Sequence, residues 1–323
     1  MKAFVQNGYG SADVYELVEV PKPEPAANEL LVRVIATSIN DWEWGILKMP
    51  WLIRSFLGRQ QPRGRYRIMG CDFAGVVEAV GSGVSNYNTG DEVFGDLSGY
   101  RFGAFAEYVC VTEPNVRHKP GMLSFEQAAA VPHAGELAIQ AIRANPLLCK
   151  GQSVLINGAG GGVGTLAIQM LKRRGVHVTG VDRSQKHSRL KELGYDELIA
   201  WPEQDFTNLE KRFDFVIDVK TDRSARAYLR ALENGGVYAT VGGDKVFSYM
   251  LLAPLASLFS SANLKTVMLK PNRNLAEISE MLASGVLEPV IGEVFEFSQL
   301  RVALTQFRKS QQVGKIVVRV SPE

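Results

Sequence analysis

The sequence predicts an α/β protein of two domains, a β-rich part followed by a parallel sheet with helices on both faces. Three observations carry that expectation. Residues 1–115 read as strands separated by glycine-containing turns. From Ser153 onward, short apolar strands alternate with amphipathic helices. The chain has 323 residues, more than one ordinary core accommodates.

In the first part, "ELLVRVIATSI" is rich in β-branched residues, and "FAGVVEAVGSGV" is a strand that ends in a Gly-Ser-Gly turn. "GDEVFGDL" and "GAFAEYVCV" read as further strands, with one helical segment near Trp42–Leu57. The composition changes near residues 120–126. There Ser124 stands three residues before Gln127, the spacing of a capping box, and opens the helical stretch "SFEQAAAVPHAGELAIQAIRA". From Ser153 the order is strand "SVLING", helix "GTLAIQMLKRRG" stopped by Gly175, and strand "HVTGVD". Helix "KHSRLKELG", strand "FDFVIDVK", helix "RSARAYLRALENGG" and strand "VYATVGG" follow. After residue 265 the pattern stays α/β through "LKTVMLK", "NLAEISEMLASG", "VIGEVFEF", "SQLRVALTQFRKS" and "GKIVVRV".

Composition excludes several functions. Charged residues make up 22% of the chain and the formal net charge is +2, so no basic field points to nucleic acid. Three widely spaced cysteines, Cys71, Cys110 and Cys149, suit a reducing compartment better than a disulfide framework. The opening "MKAFVQNGYG" lacks the apolar core of a secretory signal, so a cytoplasmic location is expected. The apolar stretch Met250–Phe259 is short and broken by Pro254, so no membrane partner is expected.

Residues 153–164, "SVLINGAGGGVG", hold five glycines within seven residues, between a strand and a helix. A flexible linker would be polar on both sides. A strand, a glycine turn and a helix carrying Leu166, Ile168, Met170 and Leu171 make the βαβ turn that binds a dinucleotide. The fitting register is Ala159-x-Gly161-x-x-Gly164, because position 163 is valine. Gly161 then lets backbone come close to a pyrophosphate, and Gly164 lets the helix pack on its strand. The cofactor-binding set is Gly158, Ala159, Gly160, Gly161, Gly162, Val163 and Gly164, with phosphates at the helix N-terminus. Asp182, at the end of the next strand, can bond a ribose 2′-hydroxyl or cap the following helix. Arg183 and Lys186 would instead attract a 2′-phosphate, which leaves NAD and NADP both open.

Eight blocks in order, "ATSIN", "MGCDFAGVVEAVGSGV", "GDEVFG", "FGAFAEYV", "SFEQAAAVP", "GQSVLINGAGGGVG", "RALENGGVYATVGG" and "GKIVV", resemble the medium-chain dehydrogenase/reductase superfamily. The likeness is to its zinc-independent quinone-oxidoreductase branch. It implies a GroES-like catalytic domain over residues 1–124, completed by 266–323, and a Rossmann domain over 125–265. It also implies NAD(P)H as cofactor, a small quinone or enone as substrate, and a homodimer formed through edge strands near "VYATVGG" to "LKTVMLK". Zinc-dependent relatives place metal ligands at the positions of Asn40, Cys71 and His133. Asn is a poor zinc ligand and three cysteines cannot fill a Cys₄ site, so no metal is expected.

Without a metal, hydride transfer to a quinone or enone is the accessible chemistry, because the negative charge delocalises onto a distant oxygen. The resemblance places Asn40 near the nicotinamide as an amide donor; Asp72 can orient it, and His133, a departure from the branch, which more often carries an apolar residue there, can serve as a proton donor or relay, so the candidate catalytic set is Asn40, Asp72 and His133. Each has a plainer reading, as a turn residue or as packing. Glu136 departs from the small residue that relatives carry. Trp42, Trp44 and Trp51 suit either a flat ring or ordinary packing. Val219, Val241, Gly242 and Gly243, at strand C-termini, complete the expected cofactor set; Lys270 reads as exposed. Two alternatives stay open: a zinc-assisted alcohol dehydrogenase using Cys71 and His133, and a non-catalytic nucleotide-binding protein of the same fold.

Overall fold

The computed structural model describes residues 1–48, 67–243 and 260–322. Trp51, the helical expectation beyond Lys48 and the apolar stretch Met250–Phe259 lie outside the described residues. The chain forms two units, Met1–Glu136 with Lys270–Glu323, and Leu137–Leu269. The sequence reading put the breaks at 124/125 and 265/266. Both fall later, and the first does so because the short helix Phe125–Ala129 packs on strands of the first unit.

The first unit begins with an antiparallel pair, β1 (Lys2–Gln6) and β2 (Tyr15–Glu19). β3 (Glu29–Ser38) follows and is almost wholly buried, as its β-branched composition requires of a central strand. Next come α1 (Asp41–Lys48), β4 (Asp72–Val80), β5 (Glu92–Asp96), β6 (Tyr108–Thr112) and β7 (Arg117–His118). α2 (Phe125–Ala129) starts at the expected capping box: the Gln127 N–H donates to Ser124 Oγ, and the Ser124 N–H donates back to Gln127 Oε1. α3 (Pro132–Arg143) contains the boundary between the units.

The second unit alternates as expected: β8 (Ser153–Asn157), α4 (Gly162–Lys172), β9 (His177–Asp182), α5 (His187–Glu192) and β10 (Glu197–Ala200). β11 (Phe213–Asp218), α6 (Ala225–Arg230), β12 (Leu232–Thr240) and β13 (Asn263–Thr266) complete it. The sheet order is β10-β9-β8-β11-β12-β13, all parallel. That is the Rossmann order, which reverses at β8 and opens a ligand crevice at the strand C-termini there. β12 starts at Leu232, inside the stretch read from sequence as helix.

The chain then returns to the first unit through α7 (Leu275–Ala283), β14 (Ile291–Glu296), α8 (Leu300–Lys309) and β15 (Lys315–Arg319). β14 and β15 join the first unit's sheet in the order β14-β15-β3-β4-β5-β7, with β6 also on β3. α8 buries Leu300, Ala303 and Leu304 on one stripe and ends at Ser310 in the left-handed conformation. The core packs Phe4 edge-on to Phe297, with Tyr15, Phe73 and Phe105 around them. Among the described residues, no helix is long and apolar enough to cross a membrane.

Candidate functional site

In the second unit the site grows from the end of β8. Gly158 has φ +93°, and the N–H groups of Gly158 and Ala159 both donate to Val181 O. Gly161 is the N-cap of α4, so the N–H groups of the first turn have no intrahelical partner. The two key glycines of the register differ physically. A Cβ on Gly164 would lie 2.4 Å from Ala159 O and 2.6 Å from Gly158 O, so this position needs glycine for packing. A Cβ on Gly161 would meet nothing nearer than Gly158 O at 3.4 Å, so its outer face is open backbone. Ala159 and Val163 are buried supports, while Gly162 is half-buried at the helix start. Tyr195, missed by sequence reading, fixes the turn by donating to both Ala159 O and Gly164 O.

Asp182 sits where the register placed it, but its carboxylate is already committed. Oδ2 accepts from the Gly160 N–H at 2.8 Å, and Oδ1 from the Arg183 N–H at 2.8 Å. The Lys186 ammonium stands 3.0 Å from Oδ1 and is itself nearly buried. Burial lowers the Lys186 pKa; Asp182 opposes this, and Lys220 and Arg183 add to it. Three cations therefore gather around one carboxylate. Arg183 lies over the Trp201 ring, with its guanidinium carbon 5.0 Å from the centroid. Lys220 was not foreseen; its side chain runs beside Gly158.

At the neighbouring strand ends, Val219 packs beside Gly158, and the Val241 N–H donates to Asp218 O. Gly243 has φ +113°, and a Cβ there would lie 1.8 Å from Lys220 O; Gly242 faces open space. Beneath them buried Asp218, also missed by sequence, accepts from Asn157 Nδ2, the Lys220 and Thr221 N–H groups and Tyr238 Oη. It fixes the turn that carries Val219 and Lys220.

The first unit holds a second polar cluster, set by register. β15 pairs with β3, β3 with β4 and β4 with β5, with Ser38 opposite Asp72 and Asp72 opposite Asp96. The strand ends thus bring Lys315, Asn40, Asp72 and Asp96 together. Lys315 Nζ donates to Ile39 O at 2.9 Å and to Asn40 Oδ1, and lies 3.2 Å from Asp72 Oδ2. Asn40 Nδ2 donates to Asp72 Oδ2 at 3.0 Å, and Ser38 Oγ to the same oxygen at 2.7 Å. The first turn of α3 brings His133 in. Its N–H donates to Asp72 Oδ1, and its Nδ1 is 2.8 Å from Asp96 Oδ2.

The cluster therefore brings all three sequence-predicted catalytic residues together. Asn40 is not a free donor, because both ends of its amide are held by Lys315 and Asp72. Asp72 does orient Asn40 and also holds the His133 backbone. Sequence reading missed Lys315, Asp96 and Glu43. Lys315 stood in the "GKIVV" block and Asp96 just after "GDEVFG", but neither had a partner visible in sequence. Buried Glu43 accepts from the Asn40 and Cys71 N–H groups, and burial raises its pKa. Burial, then Glu43, Asp96 and Asp72, push the Cys71 thiol well up, which keeps it neutral. For His133, burial opposes charging, but Asp96 and then Asp72 outweigh it, so its pKa rises. Burial likewise opposes ionisation of Asp96, and His133 with the Ser98 N–H lowers its pKa on balance. Glu136 is fully buried and accepts from the Asn274 N–H just before α7, a structural use. Trp42 and Trp44 pack on the core, and Lys270 is exposed.

Cys71, Asp96 and His133 offer ligand atoms within 4.8 Å of one another. As they stand, they do not fit a catalytic zinc. His133 Nδ1 is taken up by Asp96 at 2.8 Å, and both ends of the Asn40 amide are taken up by Lys315 and Asp72. Asp72 already has Lys315 and Asp96 already has His133, so a divalent ion would have to displace these partners.

Comparison with known proteins agrees with this fold. The family model for the alcohol dehydrogenase GroES-like domain matches residues 26–121, and one described as zinc-binding dehydrogenase matches 193–318. The chain is 32% identical to the chloroplast envelope quinone oxidoreductase homolog of Arabidopsis thaliana over 98% of each chain. It is 30% identical to a 2-methylene-furan-3-one reductase of Solanum lycopersicum, over all of this chain and 80% of the relative. The quinone oxidoreductase structure from Coxiella burnetii superposes with a TM-score of 0.88 at 29% identity, over 99% of both chains. A GroES-like unit joined to a Rossmann unit defines a two-domain dehydrogenase-type fold. The chain belongs to the medium-chain dehydrogenase/reductase superfamily, in its quinone oxidoreductase branch.

Proposed function

We propose that this chain is an NADPH-dependent reductase of quinones or activated alkenes that works without a metal ion. The observation that supports the reading is the first unit's cluster, in which Lys315 stands on Asp72 and His133 on Asp96, so that each buried carboxylate has a cationic partner from the chain itself. When bound, the reduced nicotinamide supplies the hydride. The chain's part is to hold it. Gly161 presents open backbone and the α4 N-terminus to the diphosphate, and Gly164 keeps helix and turn close. The names of the relatives, a quinone oxidoreductase homolog and a 2-methylene-furan-3-one reductase, support this acceptor class.

NADPH is favoured over NADH by charge. The Asp182 carboxylate is spent on Gly160, Arg183 and Lys186, so it is not free for a ribose diol. Arg183, Lys186 and Lys220 leave a positive surplus for a 2′-phosphate. Val219, Val241, Gly242 and Gly243 form the nicotinamide edge of this reading. The proposed assembly is a homodimer through β13, an edge strand of its sheet, in the cytoplasm. The test is NADPH and NADH oxidation over a panel of quinones and enones, with metal analysis of untagged protein. Turnover with NADPH and no stoichiometric zinc is expected; about one zinc per chain, lost together with activity on chelation, refutes the reading.

A further inference from the structure

We propose that Lys220 is the residue that selects NADPH over NADH: its ammonium takes the 2′-phosphate, and Lys186, tied to Asp182, contributes less. This rests on the cofactor reading above and names the residue that sets its preference. Every group involved belongs to the second unit. Two lysines lie along the glycine turn. The Lys186 side chain covers Gly160, with Cδ 2.9 Å and Nζ 3.4 Å from where a Cβ on that glycine would stand. The Lys220 side chain covers Gly158 in the same way, with Cγ and Cε each 3.6 Å from that glycine's Cβ position. The two lysines differ in their partners. Lys186 is nearly buried, and its ammonium already stands 3.0 Å from Asp182 Oδ1. Lys220 is exposed, and among the described residues no carboxylate lies within ion-pair distance of it. After burial, Lys220 is the largest cause that lowers the Lys186 pKa, so the two ammonium groups share one neighbourhood. One carboxylate between two lysines leaves the unbalanced charge on the exposed one.

The backbone that carries Lys220 is fixed on every side. Its N–H and that of Thr221 both donate to buried Asp218 Oδ1, at 2.8 and 3.0 Å. Thr221 is fully buried at φ +34°, a left-handed conformation that β-branched residues rarely adopt, and its Oγ1 bonds Thr240 Oγ1 on β12. Lys220 O packs so closely on Gly243 that a Cβ there would lie 1.8 Å away. Strain held in place by buried bonds points to what the turn presents, and this turn presents the Lys220 side chain beside Gly158. A fixed root reduces the entropy lost when the ammonium meets an anion. The register puts the adenosine ribose at Asp182, next to Gly160, whose N–H that carboxylate holds. A 2′-phosphate there carries about −1.5 to −2 charge at pH 7, whereas a 2′-hydroxyl carries none, so an unpaired ammonium separates the two by charge.

The experiment titrates the whole chain calorimetrically with NADPH and NADH, and with adenosine 2′,5′-bisphosphate and 5′-AMP, so that the preference is read without turnover. Lys220→Met should weaken the two 2′-phosphorylated ligands about tenfold or more and the other two less than about twofold, with the melting temperature unchanged. Lys220→Arg, which keeps the charge, should retain most of the wild-type preference. Lys186→Met should cost the 2′-phosphorylated ligands less than Lys220→Met does, and the reverse order overturns the proposal. An unchanged preference in Lys220→Met also overturns it, as does an equal loss for all four ligands, which would put Lys220 on the phosphates they share. If wild-type protein binds none of the four, the cofactor reading itself fails.

Discussion

Replacing Lys315 with methionine removes the ammonium paired with Asp72 while nearly preserving side-chain volume. Lys315 is 5% exposed and Asp72 has no exposure, so the orphaned carboxylate stays inside. Asp72 would retain the Ser38 hydroxyl, the Asn40 amide and the His133 N–H. It would lose its charge partner, and Ile39 O and Asn40 Oδ1 would lose a donor. Breaking a buried pair from one side costs about 3–5 kcal/mol. The assay is urea unfolding followed by tryptophan fluorescence, which in the first unit includes Trp42 and Trp44. Circular dichroism run alongside shows whether the two units unfold in one transition. In an Asp72→Asn background the same change should cost less by about 2 kcal/mol or more, because a neutral amide needs no cation. A loss below about 1 kcal/mol in both backgrounds would refute the claim that Lys315 neutralises this cluster.

Other outcomes follow from the same geometry. Gly161→Ala should leave the melting temperature unchanged but weaken NADPH binding about tenfold or more, whereas Gly164→Ala, with its 2.4 Å contact, should destabilise the second unit by about 1–3 kcal/mol; thermal melts and a cofactor titration separate the two. Lys186→Met should weaken NADPH more than NADH in parallel titrations, and an equal effect would mean that Lys186 serves only Asp182. The His133–Asp96 pair gives stability a pH window. The raised His133 pKa contributes fully below its ordinary 6.5 and is lost as pH climbs through the folded value. The lowered Asp96 pKa contributes above its ordinary 3.8 and is lost as pH falls through the folded value. Denaturation midpoints should therefore decline above about pH 6.5, and Asp96→Asn should flatten that slope.

The Rossmann unit was legible because its signals are local. The strand-and-helix alternation and the Ala159-x-Gly161-x-x-Gly164 register each depend on residues a few positions apart. The polar cluster of the first unit was legible only in part. Asn40 was recognisable by resemblance and Asp72 and His133 by residue type, but their hydrogen bonds run to Lys315 and Asp96, which sheet register brings near. Lys315 is 275 positions from Asn40 along the chain, so no periodicity could report the contact. Asp182 shows the opposite difficulty. Its position was right, but a carboxylate's availability depends on what else bonds it, and Gly160, Arg183 and Lys186 take its oxygens.

The register that builds the cluster also creates a hazard that the cations remove. Asp72 and Asp96 are cross-strand partners on β4 and β5, and like charges opposite one another destabilise a sheet. Each carboxylate has its own cation, Lys315 for Asp72 and His133 for Asp96, and the two pairs are coupled. Lys315 lowers the His133 pKa, whereas Asp72 raises it. Removing Lys315 therefore withdraws a repulsion and leaves Asp72 facing His133 with its full charge. In Lys315→Met the imidazole should hold its proton to higher pH than in wild type, read directly by NMR titration of the His133 ring. Asp72→Asn should move it the other way. If both changes left the titration where it stands in the wild type, the two ion pairs would be independent, and one coupled network would be the wrong description of this site.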